Sequence, residues 1–487
     1  MPRSIQPLRA SLASLLLACT FAAAPVRADA PTHAAAVPAS TGVVGVTPAQ
    51  LDPQFWIARQ AQPDALLLDA AGIAAQNARM RAQDPHIRDM QALPAQWSRQ
   101  EMLKAIQALS SPPTRTLYDV QGQPISPAAL DDLQRAMALE AIAPQSSPRF
   151  GLVTARAALR TFPTSLRAFS RTGDLDLDRF QESALFPGDA VAVLHASADG
   201  QWLFVASERY DAWIQADKVA IGTRGQVLGY ARSPDFLIVT GATVRTTYTP
   251  EQPQVSQLQL DMGVRVPLLR QWPVDALVNG QHPYTGHVIQ LPIRDAQGQL
   301  QLVPALLPRT ADVADRYLPL TARNLIAQAF KFLGERYGWG HDYDARDCSG
   351  FVSEIYRSFG ILVPRNTSAQ AVSPALDRIA FDAPRKGRAP KDMARRQAAV
   401  DALQVGDLVY IPGHVMVNIG HLDGMAYMIH DTAGGGWLGA DGKRVAAHLN
   451  GVSVTPLEPM MASDTGSYLQ QITNIQRIRP KGATAAE

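Results

Sequence analysis

Apolar positions change rhythm along this chain, and each change marks a boundary. An unbroken apolar run from Leu12 to Ala24 follows Arg3 and Arg9. It is too short for a comfortable bilayer span and has the form of an export signal. Residues 29–50 are rich in Ala, Pro, Thr and Val with almost no charge, which predicts a linker. Over 51–148 the period is helical. Ser98-Arg99-Gln100-Glu101 reads as a capping box ahead of Met102, Ile106 and Leu109 on one face. Ser126-Pro127 opens a second helix carrying Leu130, Leu133, Met137 and Ile142.

Near Arg149 the period shortens and turn residues multiply. Ala190–His195 and Gln201–Ala206 flank Ala198-Asp199-Gly200, a hairpin signal, and Tyr210–Ile214 closes the cluster. A second cluster holds Phe236–Thr240, Val244–Thr246, Gly263–Leu269 and His287–Leu291. Each has the size and strand spacing of a small barrel. Two tandem all-β, SH3-like barrels are therefore expected at 149–222 and 223–312.

Residues 318–480 return to helices and then strands. Thr321 precedes Leu325, Ile326, Ala329, Phe330 and Leu333 on one face, closed by Gly334. A helix starting at Cys348 carries Phe351, Val352, Ile355, Tyr356 and Phe359. Strands are expected at 407–411, 414–419 and 426–430, which makes an α+β domain. Between them, residues 372–400 carry Arg385, Lys386, Arg388, Lys391, Arg395 and Arg396. This segment is expected to be a solvated loop with a short helix; the sharper alternative is a cleft-edge element attracting an anionic substrate.

Charge and cysteine count narrow the class. A formal net charge of +2 over 487 residues gives no sign of a nucleic-acid binder. Cleavage after Val26-Arg27-Ala28 would make 1–28 a signal peptide and release a soluble protein. Leu16-Leu17-Ala18-Cys19 also resembles a lipobox, which would make Cys19 an outer-membrane lipid anchor. Both place the protein in a periplasm or cell envelope. Either way Cys348 has no cysteine left to pair with, so it is either an inert buried thiol or kept for chemistry. A place in the first turn of a helix, with Asp347 as N-cap, is expected to lower its pKa. A thiol nucleophile needs a base and a group that orients the base. His414 begins one strand and His430 ends the next, so antiparallel pairing can set them at one sheet edge; the register is open, since a tight Asp423-Gly424 turn would displace that pairing.

The blocks Asp347-Cys348-Ser349-Gly350-Phe351-Val352, Val363-Pro364-Arg365-Asn366-Thr367-Ser368, Val405–Val409, Gly413–Gly420 and Met428-Ile429-His430 resemble the NlpC/p60 family of bacterial cell-wall cysteine peptidases. Phe180–Asp189 through Tyr210–Ile214 is similar to the first SH3-like (SH3b) module of its multidomain members. The resemblance implies a papain-like catalytic domain and a stabilising role for 51–148. It also implies Cys348 as nucleophile, His414 as general base and His430 as its orienting partner. Tyr337, in Tyr337-Gly338-Trp339-Gly340, matches the oxyanion position. Asp347, Ser349, Arg365, Thr367 and Ser368 match the substrate side, with Asp347 helping to hold a free peptide amino terminus. Glu182 and Tyr210 are candidate contacts from the first barrel, although ordinary barrel surface and core is the plainer reading of both. No metal or organic cofactor is implied.

The expected substrates are peptidoglycan stem peptides or muropeptides. They would be cut by a monomer between γ-D-glutamate and meso-diaminopimelate, with a free N-terminal L-alanine. Rival readings are an inactive wall-binding protein, an acyltransferase using the same thiol, and a metallohydrolase built on His414, His421 and His430. The last lacks carboxylate partners and leaves Cys348 unexplained.

Overall fold

The computed structural model describes residues 40–383 and 390–479. The export signal, Cys19 and the basic residues Arg385, Lys386 and Arg388 lie outside them. No helix among the described residues is long and apolar enough to cross a membrane.

The expected linker is shorter than its composition suggests. Residues 40–50 are ordered: Pro48–Leu51 form a 3₁₀ turn, and Val46 and Gln50 are buried. The reason is Trp56, fully buried against Tyr427 of the C-terminal sheet with its Nε1 donating to the Gln50 carbonyl. The region 51–148 is also two pieces rather than one helical unit. Its first piece packs Trp56, Ile57, Leu68, Met80 and Ile87 into the C-terminal core. Its strand Leu66–Leu68 pairs with Leu320–Thr321. The second piece holds the Arg99–Leu109 and Pro127–Ala136 helices, the first with the capping box read from Ser98 and Glu101. It packs Met102, Ile106, Leu133 and Met137 onto the first barrel.

The first barrel is a seven-stranded antiparallel sheet within 149–222. Alternation along Trp202–Ala206 sends Trp202 and Phe204 to the helical segment and Leu203 and Val205 to the barrel interior, so both faces are covered. The second β unit has its own core of Leu237, Val239, Leu260, Val266, Ile289 and Leu307. It is split among small sheets, with one long hairpin, Gly286–Arg294 paired to Leu300–Pro308.

The C-terminal domain centres on a six-stranded antiparallel sheet. Its order is Asp377–Ala380, Asn474–Arg477, Leu408–Ile411, His414–Leu422, Met425–Thr432, Gly451–Pro456. One face, with Leu408, Tyr410, Val417 and Ile429, receives the Cys348–Arg357 helix through Phe351, Val352 and Ile355. The opposite face, with Val409, Met416 and Met428, receives Val400, Leu403 and Phe381. Of the described part of the basic insertion, Phe381 and the Met393–Asp401 helix pack on the face away from the cysteine helix, whereas Ala375 and Leu376 join the cysteine-helix side. Arg396 in particular is fully buried, bonded to Asp392 and to the carbonyls of Ile472 and Asp382. It is structural, not a cleft-edge charge, because its guanidinium satisfies backbone carbonyls that the helix Met393–Asp401 would otherwise strand.

Candidate active site

The cysteine is placed by a helix start. Asp347 caps the Cys348–Arg357 helix, its Oδ1 accepting from the Gly350 amide at 2.7 Å. The thiol is 5% exposed and sits within the hydrophobic cluster of the helix, not clear of it as the apolar stripe predicts. This reverses the expected pKa direction. Burial first, and then the charge of Asp347, push the thiol up to about 12. The Thr367 hydroxyl and the Val415 backbone favour the thiolate, but desolvation outweighs them. In the described structure the thiol's partner is Thr367 Oγ1 at 3.3 Å.

The histidines are placed by register. Val417 faces Ile429, which sets His430 opposite Met416 and diagonal to His414. The Asp423-Gly424 turn, with both residues at positive φ, and a bulge near Gly420 fix that register. His414 Nε2 and His430 Nδ1 lie 2.7 Å apart, and His430 Nε2 reaches Thr455 Oγ1 at 3.0 Å. Burial lowers His414 to about 4 and, with the His414 charge as a second cause, takes His430 well below its usual value. Val415, the residue after His414, shares a buried cluster with Cys348, Phe351 and Val352, so the cysteine helix packs on the strand that His414 begins. His421, by contrast, bonds the Val400 carbonyl and does not join the pair, so no three-histidine cluster forms.

The loop between Tyr337 and Cys348 holds much that sequence does not show. Gly340, His341, Tyr343 and Asp344 all adopt positive φ. A side chain at Gly340 would meet Gln181 and Glu182 of the first barrel at 3.0 Å, so the barrel abuts this loop. His341 is buried between Arg365 Nη2, at 2.7 Å from its Nδ1, and Glu354 Oε1, at 3.0 Å from its Nε2. Burial and the Arg365 charge keep it neutral, with its pKa well below the usual value. Nothing in its spacing marks it.

Asp347, Ser349 and Arg365 come together as a buried clamp. Arg365 spans both carboxylate oxygens of Asp347 at 3.0 and 2.9 Å and also donates to Ser349 Oγ and to Ser183 Oγ of the barrel. The Gly340 and Gly350 amides take the remaining positions on Asp347. Despite burial, its pKa is lowered by Arg365 and His341. Asp347 is thus already saturated by this chain, which removes it as the group that receives a peptide amine. Tyr337 is buried near Cys348, and burial together with nearby negative charge holds its hydroxyl protonated. Ser368 is exposed on the Thr367–Val372 helix.

Glu182 and Tyr210 are more than barrel surface. The Tyr210 hydroxyl donates to Glu182 Oε2 at 2.5 Å, and Thr161 donates to Oε1 at 2.6 Å. Tyr210 also reaches Asn366, two residues before Ser368. A cleft of about 260 Å³ is lined by Tyr210, Arg365, Asn366 and Ala369 together with residues of the N-terminal segment such as Ile87 and Leu109. Among the described residues Glu182 has no cationic partner.

Comparison with known proteins agrees with this architecture. A family model described as SH3 domain (SH3b1 type) matches residues 167–215, and one described as NlpC/P60 family matches 334–446. The gamma-D-glutamyl-L-lysine dipeptidyl-peptidase of Bacillus cereus is 28% identical over 188 residues, 38% of this chain and 49% of that protein. A probable endopeptidase p60 of Listeria welshimeri is 46% identical over 50 residues, 10% of each chain. The chain thus spans about half and a tenth of these curated relatives. The solved NlpC/P60 endopeptidase of Photobacterium damselae subsp. piscicida superposes with a TM-score of 0.68 at 18% identity, covering 88% of this chain and 96% of that one, a likeness of fold. The chain therefore carries an NlpC/P60 domain match toward its C-terminal end and an SH3b1-type match ahead of it.

Proposed function

We propose that this protein is an exported cysteine peptidase of the bacterial envelope that hydrolyses peptidoglycan stem peptides. The observation that carries the reading is the chain His414–His430–Thr455 on the sheet against which the Cys348 helix packs. With Thr455 accepting from His430 Nε2–H and His430 Nδ1 accepting from His414 Nε2–H, the Nδ1 of His414 is left as the free base. Both groups rest uncharged, so the proton moves from Cys348 Sγ to His414 only as sulfur attacks the substrate carbonyl. Hydrogen bonds of this kind tighten when substrate is bound. Tyr337 and a backbone amide stabilise the oxyanion, each such donor contributing a few kcal/mol. The amine leaves with the proton from His414, and water then hydrolyses the thioester and restores the thiol.

The bond is inferred to be that between γ-D-glutamate and a diamino acid, meso-diaminopimelate in the simplest case; the B. cereus relative, named for a γ-D-glutamyl-L-lysine substrate, supports the general kind. Glu182, held by Tyr210 and lacking a cation, is the group suited to a free terminal ammonium. That assigns to the barrel the role first read for Asp347, and it favours peptides with an unblocked N-terminal L-alanine. Mass spectrometry of defined stem peptides with free and acylated N-termini tests both levels. Cleavage is expected for the free peptide and not for the acylated one. Turnover that persists in Cys348→Ser would sink the peptidase mechanism, and equal turnover of both peptides would sink the amine selection alone.

A further inference from the structure

A large cavity lies away from the thiol. It measures about 560 Å³ and opens where the N-terminal segment, both β units and the far end of the Cys348–Arg357 helix meet. Its walls carry Arg81, Arg209, Arg232, Arg265 and Arg357, each from a different stretch of chain. Three carboxylates share them: Asp89, Asp189 and Glu208.

The pairing leaves a surplus. Glu208 is taken by Arg81 at 3.0 Å, and Asp189 by Arg357 at 3.3 Å. Asp89 accepts from the Gln91 amide. Arg209, Arg232 and Arg265 have no carboxylate partner among the described residues. Arg209 instead donates to Ser353 on the cysteine helix, Arg232 to Gln91 and the Leu228 carbonyl, and Arg265 to the carbonyls of Ala231 and Ser233. Two guanidinium nitrogens, Nη1 of Arg357 and Nε of Arg265, are buried and without any partner. Buried donors of this kind are costly unless something accepts from them. The crowding shows in Arg209, pushed down to about 10 by burial and by the charge of Arg357.

We propose that this arginine-lined cavity is a binding site for a small multivalent oxyanion, a molecule bearing two or more carboxylates or phosphates. The volume is in the range of small-molecule sites. Guanidinium groups bind both anion types through paired N–H donors, and they stay charged at neutral pH. A ligand there would touch all four parts of the chain at once, so it would also brace them. The site is independent of the peptidase reading, since neither Cys348 nor either histidine lines the cavity.

The test uses the full-length protein carrying Cys348→Ala, so that no turnover intervenes. Isothermal titration and thermal melting are run with citrate, with inorganic pyrophosphate and with sodium chloride at matched ionic strength. Saturable binding of citrate, of pyrophosphate or of both is expected, and it separates a carboxylate, a phosphate and a general oxyanion site. Arg209→Gln with Arg232→Gln is expected to weaken it at least tenfold. Arg378→Gln, at an exposed position elsewhere, is expected to leave it unchanged. Arg232 is exposed at the cavity rim, so its single variant serves if the double variant does not fold. Stabilisation no greater than that of matched chloride, or equal in wild type and the arginine variants, would overturn the proposal.

Discussion

At the scale of single residues, what packs over Cys348, more than its place at a helix start, sets its electrostatics. Asp347-Cys348 is readable because a capping residue before a lone thiol is a local signal. The pKa direction depends on what packs over the thiol, and that is set by residues far away in the chain. His414 and His430 are readable as strand ends, but their register is not: a tight Asp423-Gly424 turn alone would offset them, and the bulge near Gly420 brings them together. Thr455 is not readable, since a threonine 25 residues later on a third strand carries no pattern of its own. The reversed pKa has a direct consequence. A thiol raised to about 12 is almost wholly protonated at neutral pH, and its thiolate fraction grows tenfold per pH unit until the pH nears the pKa. Iodoacetamide should therefore react slowly with Cys348 and ever faster from pH 8 to pH 10, without a plateau. An alkylation rate already level below pH 8 would show a preformed thiolate–imidazolium pair instead.

At the scale of elements, the helices and most strands follow from period, caps and turns, while loops that carry charge networks do not. The Tyr337–Cys348 loop is the clearest case. Its positive-φ residues are mostly not glycine, so no punctuation announces its path. What holds it is Arg365, which joins Asp347, Ser349, His341 and the barrel's Ser183 in one buried set. The basic insertion teaches the converse: a run of like charges suggested a solvated face, yet Arg396 is buried because carbonyls surround it. Removing one partner of a buried ion pair leaves the other charged and unpaired, at a cost of roughly 3–5 kcal/mol. Arg365→Leu should therefore lower the free energy of unfolding by about that much, measured by urea denaturation. Arg365→Lys should recover little, because an ammonium cannot span both oxygens of Asp347. Full recovery by lysine would mean that charge alone, not the paired geometry, holds the loop.

At the scale of the whole molecule, the parts are cross-braced rather than strung together. Asp261 of the second β unit meets Arg346, just before the cysteine helix, at 2.7 Å, and Arg156 of the first barrel at 2.6 Å. Arg156 in turn donates to the carbonyls of His341 and Ala345 in the loop before the cysteine. The segment from Ser40 to Ile87 completes the catalytic core, with Asn77 bonded on both sides to the turn at Gly360–Leu362. Composition hid the order of residues 40–50, because a stretch poor in charge and rich in Ala and Pro reads as linker until the neighbouring Trp56 fixes it against Tyr427. Trp56 is 0% exposed, and its truncation should cost about 3–5 kcal/mol, as for other buried aromatic residues. The distinctive expectation concerns where that loss falls. Trp56 contacts Tyr427 on a central strand of the catalytic sheet, and its neighbours belong to the C-terminal core. Trp56→Ala should therefore raise amide exchange across Leu408–Ile411 and Met425–Thr432 while leaving the first-barrel strands Ala190–Ala196 and Trp202–Ala206 protected as before. Hydrogen-exchange mass spectrometry reads both regions in one experiment. Unchanged protection in the catalytic strands would show that the N-terminal segment rests on this domain without forming part of its core.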